Sequence, residues 1–148
     1  MGAHPANVMT IGRLARRSSV PVKRLREYER LGLLYTLGRS ESNYRLFDES
    51  TLWCLRVIAT LRSLGLTLKE IQKISGIYCG GARGAIGLEL KAGLADASRR
   101  IEARIRDLEE VQGRIEAFQA KYASGLEGRD ELALYAQDPR RGGVRAAS

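Results

Sequence analysis

A mainly α fold is predicted: a winged helix-turn-helix head with a short β-hairpin wing, followed by a long antiparallel coiled-coil dimerisation helix. Three observations carry this. Two short apolar-faced helical segments flank a Ser18-Ser19-Val20-Pro21 break. A turn-rich stretch, residues 38–43, separates two short apolar segments. Downstream, Leu90, Leu94, Ala97, Ile101, Ile105, Leu108, Val111, Ile115, Phe118 and Tyr122 recur at steps of three and four, a seam sustained over about four heptads.

In chain order, residues 1–8 show no periodicity and form a leader that holds His4, the sole histidine. Thr10 is placed to cap a first helix with Ile11, Leu14 and Ala15 on its apolar face. Pro21 suits the first turn of a second helix, in which Val22, Leu25, Tyr28 and Leu31 share a face and Gly32 serves as C-cap. Lys23, Arg24, Arg26, Glu27 and Arg30 occupy the rest of that helix. Such a charged surface is often merely solvated. A short, strongly basic helix following a partner across a tight turn favours the groove-facing reading. Leu33, Leu34 and Tyr35 suggest a strand, and residues 44–47 alternate as its returning partner.

Asp48 is a good N-cap for a third helix carrying Leu52, Leu55, Ile58, Leu61 and Leu64, stopped by Gly65. Thr67-Leu68-Lys69-Glu70 is a capping box with Leu66 and Ile71 as its hydrophobic staple; the helix it opens ends near Gly76. Four glycines in residues 79–87 predict a hinge or loop, because glycine weakens helix interiors. The organisation expected is a leader over 1–8, a head over 9–77, a glycine-rich hinge over 78–87, a dimerisation helix over 88–123 and a short tail over 124–148, with Leu132, Leu134 and Tyr135 in a last short helix. A helix of about 35 residues is roughly 50 Å long. Pairing with a second copy is the simpler way to bury its seam; packing on its own head is the alternative.

Charge is unevenly divided. Residues 1–70 hold 12 Lys+Arg against 6 Asp+Glu, residues 71–148 hold 13 against 11, and the whole chain carries +8. A pI of about 9.9 is the electrostatic footprint of a nucleic-acid binder. Two cysteines without a CxxC pattern argue against a disulfide framework and fit a reducing, cytoplasmic setting. No apolar run reaches membrane-spanning length. One histidine, no clustered carboxylates and no nucleotide motif argue against an enzyme.

The ordered motifs resemble the MerR family of transcription regulators over about residues 9–76. Ile11-Gly12-Arg13-Leu14-Ala15 resembles the family's opening helix. The run from Val20-Pro21-Val22-Lys23 through Arg26-Glu27-Tyr28-Glu29 resembles its recognition helix. Leu31-Gly32-Leu33-Leu34, Arg39 and Tyr44-Arg45-Leu46-Phe47 resemble the stretch through its wing, and Leu64-Gly65-Leu66-Thr67 through Ile71 its second helix pair. Two departures stand out. Glu27 replaces the usual first Tyr of the pair; it can accept from a cytosine amino group or orient Arg26. Asn43 replaces a glycine, which Asn tolerates where the turn needs positive φ.

The resemblance implies a homodimer on a pseudo-palindromic promoter operator, bending and untwisting the spacer so that RNA polymerase engages. It implies DNA contacts from Arg16, Lys23, Arg24, Arg26 and Tyr28, wing contacts from Arg39, Tyr44 and Arg45, and a phosphate contact from Arg62. Dimerisation falls to Leu90, Leu94, Ile101, Ile105, Leu108, Ile115 and Phe118. Cys79 matches the first thiol position of metal-sensing members, but residues 123–148 hold neither Cys nor His, so no resident metal or cofactor is expected. Cys79 then stands as a candidate lone thiol sensor, with a soft ion shared by two Cys79 sulfurs as the weaker alternative, and Cys54 reads as a small core residue. An apolar ligand site lined by Trp53, Tyr78 and Tyr122 is a further expectation. The rival reading is an architectural, excisionase-like DNA-bending factor; such factors usually lack the long helix.

Overall fold

A computed structural model describes residues 8–142. The chain forms two compact units, Met1–Ile101 and Glu102–Ser148.

In the first unit, α1 (Ile11–Ser18) and α2 (Val22–Arg30) form the helix-turn-helix. The turn between them passes through Ser19 at φ 59°, and Gly32, at φ 71°, terminates α2 as the sequence predicts. Thr10 precedes α1 with extended backbone, but its side chain makes no cap hydrogen bond. The backbone there is held instead by Met9, which exchanges two hydrogen bonds with Phe47 at 2.8 and 2.9 Å.

The hairpin is shorter than expected. β1 (Gly38–Arg39) pairs antiparallel with β2 (Arg45–Leu46), with Gly38 opposite Leu46. Leu33, Leu34 and Tyr35 form no strand: the Leu33 N–H donates to the Tyr28 carbonyl at 2.9 Å, so this backbone closes the end of α2, while Leu33 and Leu34 are buried. Asn43 sits at φ 65°, the left-handed conformation that its place before Tyr44-Arg45 anticipates.

α3 (Glu49–Ser63) is capped by Asp48, whose carboxylate accepts from the Ser50 N–H at 2.8 Å. α4 (Leu68–Cys79) opens with the predicted capping box: the Glu70 N–H donates to Thr67 Oγ1 at 3.2 Å, and the Thr67 N–H donates to Glu70 Oε2 at 2.8 Å. The staple residues Leu66 and Ile71 are both buried. Together with Leu14, Leu25, Phe47 and Ile58 they form one apolar core.

The glycine-rich hinge is contracted to a turn. α4 continues past Gly76 to Cys79, and α5 starts at Arg83, so Gly84 and Gly87 lie inside a helix. Each glycine weakens a helix by up to about 1 kcal/mol. Ile86 and Leu90 offset this by packing against the head's core. α5 runs unbroken over Arg83–Lys121. Its early turns correct the dimerisation expectation for Leu90, which packs on its own head together with fully buried Ala97. The reason is steric: a Cβ built on Gly93 would lie 3.5 Å from Leu66 Cδ2, and one on Gly65 would lie 3.6 Å from Ala97 Cβ, so small residues bring helix and turn together. A polar clasp stands beside this seat. Arg100 donates to both Glu70 carboxylate oxygens at 2.8 and 3.0 Å and to the Gly65 carbonyl at 2.8 Å.

In the second unit the remainder of α5 leads to α6 (Ala123–Leu126) and two 3₁₀ turns, Ala133–Gln137 and Pro139–Gly142. Phe118 and Tyr122 pack ring to ring at 4.6 Å. Gly125 is sterically required, since a Cβ there would approach Leu132 Cα to 2.9 Å. Leu134 is exposed in the first 3₁₀ turn, which takes the place of the expected last helix; the side chain of Tyr135 and residues 1–7 with His4 lie outside what is described.

Candidate nucleic-acid interface

The basic face is built by α1, α2 and the hairpin. Buried Leu14 anchors α1, and buried Leu25 and Tyr28 anchor α2, which leaves Lys23, Arg24, Arg26 and Arg30 on the exposed side. Arg16, in the last turn of α1, is exposed as well. A concavity of about 250 Å³ gathers Arg26, Arg39, Tyr44 and Arg45 with Thr10, Ile11, Glu29 and Asn43 at the junction of helix and wing. Four of the nine expected contacts thus meet at one place, drawn from α2, β1, β2 and the turn between the strands.

Their local partners differ. Arg39 is held toward the hairpin turn, its Nη1 donating to the Asn43 carbonyl at 3.0 Å. Arg45 pairs with Glu29 of α2, so it ties the wing to the helix. Tyr44 is 65% exposed at the turn of the wing. Lys23, Arg24 and Arg26 provide positive charge on the outer surface of α2.

Two expected contacts are placed otherwise. Tyr28 is buried in the core and positions α2 from behind rather than offering its ring to a ligand. Its place on the Val22–Leu25–Leu31 face is the signal that locates it there. Arg62 donates to the Leu66 carbonyl at 2.9 Å and braces the α3–α4 turn. Arg17, which the sequence reading passed over, pairs with Glu49 at 2.5 Å and links α1 to α3. Glu27 is half-buried.

Of the two thiols, Cys79 is exposed at the end of α4 and Cys54 is buried, where desolvation raises its pKa. Among the described residues no group of three or more His, Cys, Asp and Glu side chains is placed to hold a metal ion. Trp53 and Tyr78 do line an apolar cavity, joined by Tyr35 rather than by Tyr122, which pairs with Phe118.

Comparison with known proteins agrees with this arrangement. Residues 9–75 match the family model described as MerR HTH family regulatory protein, and residues 52–118 match the model MerR, DNA binding. An HTH-type transcriptional regulator of Pseudomonas aeruginosa is 34% identical over 100 residues, covering 68% of this chain and 74% of that protein. The chain belongs to the MerR family. It is a DNA-binding transcriptional regulator.

The regulator's other relatives match over different lengths. The HTH-type transcriptional regulator ZntR of Escherichia coli is 30% identical, covering 69% of this chain and 72% of that protein. The mercuric resistance operon regulatory protein of Bacillus cereus is 40% identical over 67 residues, about half of its own length. Among solved structures, a MerR family regulator from Listeria monocytogenes superposes with a TM-score of 0.64 at 20% identity, covering 87% of this chain and 99% of that one. HiNmlR, a MerR family regulator lacking the sensor domain and bound to promoter DNA, gives 0.54 at 23%, covering 82% and 90%. These structural likenesses speak for the fold. In the regulator, no described helix is long and apolar enough to cross a membrane.

Proposed function

We propose that the regulator acts as a homodimer on a pseudo-palindromic promoter operator, one α2 per half-site, and bends and untwists the promoter spacer so that RNA polymerase engages it. The observation that carries this reading is the apolar row on α5. Ile101, Ile105, Leu108, Val111, Ile115 and Phe118 are spaced at three and four residues and are each 40–53% exposed. A row of this kind over five turns is the seam of a coiled coil, and a second copy of α5 covers it in register. Two heads then face two half-sites, which converts a modest single-head affinity into operator selectivity.

Arg16, Lys23, Arg24 and Arg26 approach bases and backbone, and Arg39 and Tyr44 hold the flanking phosphates from the wing. Most of these contacts position the protein; Arg26 beside Glu27 is the pair best placed to select a base. Arg45 contributes by fixing the wing on α2.

Sedimentation with footprinting tests the reading. The expected result is a dimer protecting one palindromic site within a promoter spacer, with transcription that depends on spacer length. A monomer that protects tandem sites, or output indifferent to spacer length, would sink it.

A further inference from the structure

The head holds a second concavity, of about 330 Å³, distinct from the basic one and formed by α3, α4, the start of α5 and the loop after α2. Its character is unlike the rest of the surface. The chain is 28% charged, yet among the described residues no charged side chain lines this cavity. Its floor is aliphatic, with buried Leu33, Ile58, Ile71 and Ile74. Its wall is aromatic: Tyr35 and Trp53 lie nearly parallel, 8° between planes at 6.4 Å, and Tyr78 stands 6.2 Å from Trp53. These three rings remain 39–44% exposed. Rings of this size are ordinarily buried for their apolar area, so an open trio around a concavity is surface prepared for something planar.

From this we infer that the cavity is a binding site for a neutral, planar aromatic small molecule, stacked against Trp53 and Tyr35 over the aliphatic floor. Charge complementarity argues for an uncharged ligand: Arg83 stands over the Tyr78 ring at 5.9 Å but does not line the cavity, so an ion entering it loses its hydration with no charged partner among the lining residues. The volume lies at the small end of ligand pockets, which matches a fused bicyclic or tricyclic ring system rather than a peptide. Ser75 and the tyrosine hydroxyls supply the few polar atoms that orient such a ligand. Cys54 also lines the cavity; burial raises its thiol pKa and so disfavours the reactive thiolate.

The site also touches the reading machinery. Gly32 and Leu33 line it directly after α2, the Leu31 carbonyl accepts from Gln72 of α4 at 3.1 Å, and the Tyr35 carbonyl accepts from buried Thr51 of α3 at 2.6 Å. The inference goes beyond the promoter reading and does not rest on it, because binding is measured without DNA.

Trp53 is the chain's one tryptophan, so its emission reports on the cavity. The full-length protein is titrated with N-phenyl-1-naphthylamine, a neutral probe, and with 8-anilino-1-naphthalenesulfonate, which carries the same rings and a negative charge. The expected result is saturable quenching by the neutral probe at one per chain, with the sulfonate at least about tenfold weaker. Filling the cavity by Ser75→Phe, or from the half-buried rim by Val57→Phe, should weaken the neutral probe at least about tenfold in whichever variant melts cooperatively. Trp53 emission unmoved at saturating probe would overturn the proposal, as it would if a second copy covered this face. Quenching by the sulfonate as tight as by the neutral probe, or undiminished binding in a folded filled variant, would overturn it as well.

Discussion

Residues 83–101 and 102–121 belong to one helix and carry the same kind of apolar repeat, but their surroundings are opposite. In the first stretch, Gly93 and Ala97 are buried and Ile86 and Leu90 pack against the core of the head. In the second, Ile105, Leu108, Ile115 and Phe118 stand between 40% and 53% exposed. What separates them is side-chain size where the α3–α4 turn meets the helix, at Gly93 and Ala97. Small residues let the α3–α4 turn approach the helix; large ones hold a neighbour at coiled-coil distance and wait for an equally large partner. Periodicity defines a face, and the volume along that face determines which kind of neighbour covers it.

Ile105→Glu places a charge in the proposed seam of both copies. We expect dimer association to weaken by about 100-fold or more in Kd, about 3 kcal/mol, with the melting of the head little changed. Sedimentation equilibrium alongside thermal unfolding checks both halves of that statement. An undiminished dimer would mean that the row has another role.

The first stretch should respond in the reverse sense. Ala97→Leu overfills the seat against Gly65 and is expected to destabilise the head by about 1–3 kcal/mol while leaving self-association through residues 102–121 intact. Urea unfolding followed by Trp53 emission measures it. Gly93→Ala sharpens the same point with a smaller change. Its added Cβ meets Leu66 at ordinary contact distance, so the helix gains about 0.5–1 kcal/mol with no clash. A destabilised Gly93→Ala protein would show that the seat is tighter than the 3.5 Å separation implies.

The smallest expected effect is electrostatic. Hydrogen bonding from Arg100, then from the Thr67 N–H, lowers the Glu70 pKa from 4.5 to about 2. A carboxylate depressed on folding stabilises the fold above its unfolded pKa. That contribution is lost as pH falls from about 4.5 toward 2. Arg100 is exposed and Glu70 partly so, which lets solvent screen the pair, so the effect is modest. Glu70→Gln should flatten the pH dependence of the urea midpoint over that range, and an unchanged slope would refute the assignment.

Much of the head was legible because its signals are local. The Asp48 cap, the Thr67–Glu70 box, Gly32 after α2 and the left-handed Asn43 each depend on a few neighbouring residues, and each appears where its chemistry requires. Features that depend on distant partners were not. Leu33–Tyr35 has strand composition, yet its backbone closes α2 and two of its side chains complete a core to which all five of α1–α5 contribute. The glycines at 84 and 87 indicate a hinge only until Ile86 and Leu90 find the head. At the candidate interface, cationic residues on α2 were identifiable from charge and spacing, whereas Arg45 bound to Glu29, Arg62 bound to a carbonyl and Tyr28 in the core needed three dimensions. The aromatic cavity was half visible: Trp53 and Tyr78 signalled it, but Tyr35, Ser75 and Ile86 come from separate elements with no shared spacing.

Glu70 completes a capping box, pairs with Arg100 and thereby helps fasten α5 beside the Gly65 turn. One carboxylate serving two neighbours makes its replacement costly in any lineage that keeps both. Thr67, Glu70 and Arg100 should therefore drift as a group among relatives: where the acid is lost, the cap and the arginine lose their reason to stay. Such joint change would mark the clasp as a unit of inheritance, set apart from the recognition helix, which is free to diverge with its operator.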